Sequence, residues 1–593
     1  MVISGVISSA AIAPGRVPPE VEGIQVNFCK NPGCASYGIP PLATVARGRP
    51  AHAGPQDRYI VSASGVNAPT LNCRVCGESP PLKSNAGIVE ECTRFLRDLD
   101  ARPTASCPDP TCANHGQPVG GETGHYQGFG LTRSGSQRYR CKACGKIFAV
   151  GKSTTGHKQP HKNKMIFALL MNKSPFRRIS EVAGIGPSGL YGKMDFLHAQ
   201  CLAFVATRER RLLAGMPISR LYLATDRQDY TVNWTQQEDR RNVVLHAVGT
   251  ADNVTGYVFG LHLNYDPALD ADAIERVALA AGDYQTKPPF RRHARCWLRA
   301  DYQAAAARSI APSRKLTKSH LQSAIAATYA EAAQRADVEV AETPDANQRL
   351  PTQGVQIHAE YTLYGHFFFL RQLFSGVEKL RFCLDQDSGM RAACLCAFQP
   401  EIKTRAADAF YVRIAKHLTV SQKRAELAAS RARFEAAKQA HPGLADGELQ
   451  VLLTQVAIAH MATLGKWQDR WLTHPLPDMS EPQKAVCYLT DCGDYDADHL
   501  ARLYQKASLH GIDRFFMQVR RRLSLLERPI ETASKSGRTW YGYSAYNPAS
   551  IVKLLGIFRV FYNYCVAGKD GKTPAMRLGL AKGKVDLEDI IYY

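Results

Sequence analysis

Eight of the seventeen cysteines fall into two copies of one pattern. Residues 28–38 read FCKNPGCASYG and residues 106–116 read SCPDPTCANHG. Downstream of each comes a Cys-x-x-Cys, LNCRVCGES at 71–79 and YRCKACGKIF at 139–148. The unit Cys-x4-Cys plus Cys-x2-Cys therefore occurs twice, and a repeat of that detail is a structural signature. Two knuckles supply four soft sulfur ligands at tetrahedral corners, which is the requirement of structural zinc. The spacing assigns Cys29, Cys34, Cys73 and Cys76 to one zinc site. It assigns Cys107, Cys112, Cys141 and Cys144 to a second. Gly77 and Gly145 follow the second knuckle of each unit, where the backbone must turn around the metal. His115 and His125 lie nearby but read as surface residues, because four cysteines already complete each site. Cys487 and Cys492 repeat the Cys-x4-Cys spacing without a partner knuckle and read as buried thiols. Paired cysteines in a large chain without a clear secretory signal indicate metal ligands rather than disulfides.

Carboxylates form the second candidate set. Asp226 is expected to end one strand and Asp385 another, and Asp513 opens a helix in HGIDRFFMQVRRRL. Three acids brought together could hold two divalent cations, and two cations suit in-line attack at a phosphodiester. Magnesium, which keeps water ligands and needs few protein carboxylates, fits so sparse a set; manganese is its alternative. Asp387, two residues beyond Asp385, and Glu527, beyond the helix, are the alternative acids.

The elements that must position these groups follow from pattern. SRLYLATD (219–226), NVVLHAVGT (242–250) and GYVFGLHL (256–263) are β-branched and aromatic runs with short polar connections, an antiparallel meander. EKLRFCLD, ending at Asp385, gives a fourth strand, and ADAFYVRI (407–414) a fifth. SGMRAACLCAF (388–398) between them reads as a helix. Residues 421–465 read as a helical hairpin broken at His441-Pro442-Gly443, and 498–527 as helix-rich. After the second cysteine unit, KNKMIFALLMN (162–172) and RRISEVAGIGPSGLYGKMDFLHAQC (177–201) give a helix-turn-helix outline, turning at Gly184–Gly186 and reopening at Pro187 and Ser188.

Composition limits the partners. The 593 residues carry 74 Lys plus Arg against 53 Asp plus Glu, a formal net charge of +21. Such an excess suits a polyanion, nucleic acid before an anionic membrane surface. With 45% apolar residues a sizeable core is available, and no apolar run is long enough to span a membrane. Ser188, Tyr191 and Lys193 on the second helix are candidate groove contacts. Lys162, Lys164, Lys173, Arg177 and Arg178 beside it are candidate phosphate contacts, as are Arg520, Arg521 and Arg522. Trp234, Trp540, Tyr541 and Tyr543 could stack on unpaired bases, or anchor core and loops. The opening MVISGVISSAAIAPG lacks the basic segment of a secretory signal and reads as part of a disordered tail.

Four passages together resemble an insertion-element transposase of the DDE superfamily, over residues from about 105 to 593. YRCKACGKIF followed by a helix-turn-helix resembles the amino-terminal zinc ribbon and helix-turn-helix of these proteins. LATDRQDYTVNW and RFCLDQDSG resemble the segments that bear the first and second acids. HGIDRFFMQVRRRLSLLERPI, then FRVFYNYCVAGKDGKTPAMRLGLA, resembles the carboxy-terminal stretch. The resemblance implies a multidomain α+β chain: a tail over 1–24, zinc ribbons over 25–100 and 101–155, and a helix-turn-helix over 156–212. An RNase H-like α/β catalytic domain would follow over 213–593, interrupted near 270–375 and by a helical insertion near 415–505. It implies metal-binding acids at Asp226, Asp385 and Asp513, with Asp where the family usually has Glu at the third position. It further implies magnesium-dependent cleavage and strand transfer on double-stranded DNA by a homo-oligomer. The setting it implies is the nucleoid-associated cytoplasm of a bacterium. The alternative is a transposase-derived DNA-binding repressor or structural factor without catalysis. A third reading is a different metal-dependent nuclease on the same fold.

Overall fold

The computed structural model describes residues 15–43, 57–62, 68–100, 105–115, 117, 119, 124–133, 136–151, 157–308, 339, 344, 346–415, 418–465, 468–527 and 543–593. The chain is a mixed α/β protein built on one large mixed sheet. No helix among the described residues is long and apolar enough to cross a membrane.

The strands of that sheet are β1 (Ile218–Val232), β2 (Val243–Asp252), β3 (Val258–Leu263), β4 (Val377–Asp385), β5 (Ala407–Ile414), β6 (Ala462–Leu464), β7 (Asp469–Thr473) and β8 (Lys484–Tyr488). Their order is β6-β7-β8-β5-β4-β1-β2-β3. β1, β2 and β3 form the expected antiparallel meander. β4 lies parallel to β1 and to β5, so β2 alone runs against the other four of the group β3-β2-β1-β4-β5. β1, β4 and β5 are buried nearly throughout their central residues, as strands covered on both faces must be. The charged Arg381 inside β4 is tolerated because its guanidinium meets the buried Asp408 carboxylate of β5 at 2.7 Å.

The helices that cover the sheet are set by sequence periodicity and caps. α1 is Asn85–Arg97, α2 Asn163–Leu170, α3 Phe176–Ala183, α4 Pro187–Leu213, α5 Ala359–Leu373, α6 Ser388–Ala397, α7 Val420–Ala440, α8 Asp446–Ala459, α9 His510–Arg522 and α10 Pro548–Cys565. α5 is apolar almost all round because it lies between layers, with β2 and β3 on one side and α1 on the other. Glycine makes that sandwich possible. A Cβ on Gly365 would stand 2.7 Å from the Glu91 Cβ, and one on Gly87 2.9 Å from the Tyr361 ring. α9 places Ile512, Phe515, Phe516 and Val519 at helical spacing and packs on β1 and β2. It lies on the face opposite α5. The Thr250 hydroxyl bonds to His366 of α5 (2.7 Å), whereas a Cβ on the preceding Gly249 would meet Ile512 of α9.

Several boundaries differ from expectation. The segment 415–505 is not purely helical: besides the α7–α8 hairpin it supplies β6, β7 and β8, which extend the sheet beyond β5. Their runs are too short for periodicity to reveal. Within the segment near 270–375, α5 is a buried layer of the main body. Residues 15–24 are not a free tail. Val17 packs among the first cysteines, and the Asn85 amide donates to the Pro19 carbonyl (2.7 Å). Residues 1–14 lie outside the described residues.

One continuous apolar core runs from Val26 to Ile591 and takes in α1 to α5, α9 and α10. None of the described residues of the second cysteine unit belongs to it. Replacing Gly365 with Val should force α1 and α5 apart and lower stability by about 1–3 kcal/mol, read as a fall in the denaturant midpoint at unchanged slope.

Candidate functional site

The two cysteine units fold alike. The four sulfurs of each set lie within 4.8 Å of one another, and among the described residues these are the two such groups of three or more potential ligands. Cys29–Cys76 and Cys34–Cys73 sulfurs are 3.5 and 3.8 Å apart, Cys107–Cys144 and Cys112–Cys141 3.4 and 3.7 Å. Tetrahedral zinc with bonds of ~2.3 Å requires edges of ~3.8 Å, so both sets are compatible with structural zinc. Gly77 and Gly145 take left-handed φ values of 74° and 73°, and each amide donates to the carbonyl of the third cysteine at 2.9 Å.

The thiols are unequal. The hydrogen bond from Cys29 holds Cys76 down at about 5, and backbone amide donation holds Cys141 at about 6. Burial pushes Cys34 up to about 11 and Cys107 to about 12. Metal must therefore displace protons from these sites.

Sequence spacing missed a tyrosine in each unit. Tyr59 pairs across a hairpin with Cys73, and Tyr126 across another with Cys141. The Tyr59 hydroxyl accepts from the Cys29 amide (3.0 Å) and reaches the carbonyls of Ser36 and Ile39 (2.9 and 2.6 Å). The Tyr126 hydroxyl accepts from the Cys107 amide (2.9 Å) and reaches those of Asn114 and Gln117 (2.7 and 2.8 Å). Each thus closes its first knuckle against its hairpin. A comparison of the two repeats position by position could have found the pair.

Their surroundings differ. The first unit is docked on the main body. The Tyr37 hydroxyl donates to the Leu395 carbonyl of α6 (2.6 Å). Glu78 accepts from the Lys30 amide (2.6 Å) and pairs with Arg391 of α6 (3.2 Å), both side chains buried. The second unit is exposed along its outer strand, Tyr126–Leu131.

Two of the acids, Asp226 and Asp385, share one sheet face. Ala224 pairs with Cys383 and Thr225 with Leu384, so the register carries Asp226 opposite Asp385 with both side chains on one face. Asp226 does not end its strand. β1 continues to Val232 against β2 alone, and Asp226 stands where the parallel partner stops. α9 covers this face. The Ser508 amide lies against the Cys383 sulfur, and the Asn253 side chain accepts from the Gly511 amide (2.9 Å). Asp513 lies in the first turn of α9 and is partly buried. Gly249, the register partner of Asp226, lies under Ile512 and Phe516. The three carboxylates do not form a further group within 4.8 Å. Ligands shared between two cations ~3.5–4 Å apart need not. Hard carboxylate oxygens are the donor type that magnesium and manganese take.

The alternative acids are otherwise engaged. Asp387 caps α6, accepting from the Gly389 and Met390 amides (2.9 and 3.2 Å), and pairs with Arg227 (3.4 Å). Glu527 pairs with Lys173 (2.7 Å) beyond the far end of α9. Arg413 joins the neighbourhood unannounced by sequence. It donates to Gln386 (2.6 Å), and its charge is weakened by burial and favoured by Asp385.

The basic candidates separate in space. Ser188 and Tyr191 are exposed on the first turns of α4. Lys193 points inward, its ammonium donating to the Lys158 carbonyl (2.7 Å), with burial lowering its pKa. Arg177 and Arg178 are exposed and share Glu181 (3.5 and 2.7 Å), surface pairs of little energy. Lys164 pairs with Asp586 and Glu588, and Lys162 reaches the Gly184 carbonyl. Arg522 donates to Asn172 (3.1 Å) and ties α9 to the helix-turn-helix, Arg521 is exposed, and Arg520 lies near Tyr230. Trp234 is half-buried under Arg240, and Tyr543 is exposed. Trp540 and Tyr541 lie outside the described residues. Cys487 is buried, whereas Cys492 is exposed.

No protein-family profile and no curated protein matches the chain.

Zinc analysis of the purified protein should give two equivalents per chain. Cys29→Ser and Cys107→Ser should each remove one. Cys29→Ser should also lower the main melting transition, because its unit is packed into the body, and Cys107→Ser should leave that transition in place.

Proposed function

We propose that the protein is a DNA transposase of the DDE/DDD class, with an RNase H-like catalytic domain, two zinc ribbons and a helix-turn-helix. One observation carries the reading: the register sets Asp226 beside Asp385 on adjacent parallel strands of a five-strand group ordered β3-β2-β1-β4-β5, and Asp513 is on a helix that packs on β1 and β2. That strand order, with β2 alone reversed, is the arrangement an RNase H-like core requires. The formal charge of +21 and the basic groups around α3, α4 and α9 support DNA as the polyanion.

Asp226, Asp385 and Asp513 would hold two magnesium or manganese ions, which when bound supply activation of the attacking oxygen and stabilisation of the leaving oxygen. The chain's own groups do the rest. Asp226 is fixed by accepting from the Arg227 amide (2.7 Å). Arg413 sets a positive charge near Asp385 and would draw a phosphate toward the acids. Asp387 holds the start of α6 and keeps the end of β4 from fraying. Water attacks the phosphodiester at an element end and frees a 3′-hydroxyl, which then attacks target DNA in a transesterification. No protein–DNA covalent bond is needed. Two ends must be handled together, so a homo-oligomer on DNA is part of the proposal. Ser188, Tyr191, Arg177 and Arg178 are the groups of the helix-turn-helix best placed to meet a groove and its phosphates. Lys193, turned inward, serves to hold the helix.

Strand cleavage and joining should require Mg²⁺ or Mn²⁺. Asp226→Ala and Asp385→Ala should each reduce the rate by at least about a hundredfold, the equivalent of several kcal/mol. Asp513→Ala should do the same, Glu527→Ala should leave the rate unchanged, and Asp387→Ala should cost about 1 kcal/mol of stability while activity persists. DNA binding without any metal-dependent cleavage would replace the enzyme with a non-catalytic DNA-binding factor. Cleavage without joining would make it a nuclease.

A further inference from the structure

The two cysteine units share a fold and differ in charge and exposure, and the difference assigns them different work. We propose that the first unit is a fixed structural support, and that the second alone presents a sheet face to duplex DNA, through Arg138, Arg140 and Phe129. The inference deepens the transposase reading and rests on it only for the class of partner.

The second unit's sheet is formed by Tyr126–Leu131, Gln137–Cys141 and Ile147–Val150. Its register separates two faces. Tyr139 and Phe148 pair on the face of Cys141, and Tyr126, Tyr139 and Phe148 rings pack together there. Gln127 and Ile147 both pair with Arg140, and Ala149 with Arg138, on the other face. Gln127, Phe129, Arg140, Ile147 and Ala149 are all exposed. The Arg138 guanidinium lies 5.1 Å from the centre of the Phe129 ring. An open apolar sheet face usually costs solubility unless a partner covers it. Here the apolar groups stand beside arginines, so the partner is a polyanion that also offers an apolar surface.

Charge selects that partner. Residues 124–151 contain Arg133, Arg138, Arg140, Lys142 and Lys146 and not one acidic residue. The corresponding stretch of the first unit, 57–79, holds Arg58 and Arg74 against Asp57 and Glu78. The first unit moreover has its knuckles turned toward α6 through Tyr37 and Glu78. Phosphates would meet the arginines, and Phe129 with Ile147 would lie against the groove wall, where thymine methyl groups supply apolar surface.

The test is duplex binding by the full-length zinc-loaded chain, read by fluorescence anisotropy on a short random-sequence duplex without magnesium or manganese. R138A/R140A should weaken binding at least about tenfold and flatten the slope of log affinity against log salt by about 1.8, the release of two phosphate contacts. R138K/R140K should restore the slope, and F129A should weaken binding with the slope unchanged. R74A in the first unit should bind as the parent does. Zinc content of two per chain in each variant shows that the fold is kept. The proposal is overturned if R138A/R140A keeps the parent's affinity and slope, or if R74A causes the loss instead. A parent chain that binds no duplex overturns it together with the DNA reading. Because binding is measured without the catalytic cations, failure of the acids to support cleavage would leave this result standing.

Discussion

The register between β1 and β4 decides where every other part of the candidate site falls. Side chains alternate along a strand, so a slip of one residue would send Asp385 to the opposite face from Asp226. The pairing of Ala224 with Cys383 and of Thr225 with Leu384 prevents it, because each strand has buried residues on both faces. The strands then part. β4 ends at Asp385, while β1 runs on with β2 as a two-stranded arm. Asp226 is held by a ladder on one side and stands at the rim of the sheet on the other.

The first cysteine unit belongs to the same mechanical system. Its Glu78 carboxylate touches the Lys30 backbone on one side and Arg391 on the other. Arg391 sits on α6, whose cap, Asp387, follows Asp385 by two residues. A buried ion pair between the first cysteine unit and this helix is costly to break once formed, since either charge alone would be left in a dry environment. Folding of the metal unit and placement of β4's end are therefore linked, although the two lie more than 300 residues apart in sequence. Among the described residues of the second unit, none belongs to the main apolar core.

What the sequence made legible was chemistry with strict spacing. The eight cysteines, the apolar runs of β1, β4 and β5, and the glycine turn before Pro187 all announce themselves. Tyr59 and Tyr126 did not, because one tyrosine between two knuckles has no spacing rule of its own. Lys193 looked like a groove contact from its place on α4, but helix position alone does not say which way a long side chain turns. Asp387 competed with Asp385 as an acid until its place before Ser388-Gly389 made it a helix cap, a role its position next to a helix start already favoured. The strands β6, β7 and β8 were hidden because each is three to five residues long and earns its place by pairing, not by pattern.

In the proposed reading Asp513 is the third acid, and its length bears on how α9 packs. Aspartate is one methylene shorter than glutamate, so a helix bearing Asp513 must stand closer to the sheet than one bearing glutamate. The sheet is shaped for that. Gly249 lies opposite Asp226, and a Cβ there would stand 2.8 Å from Ile512 and 3.2 Å from Phe516. Gly511 answers from the helix side, where a Cβ would come 2.7 Å from the Asn253 side chain. Two glycines, one on β2 and one at the start of α9, thus remove side chains at the contact that sets the helix height. Under the proposed reading, the shorter carboxylate and the missing side chains belong to one packing arrangement.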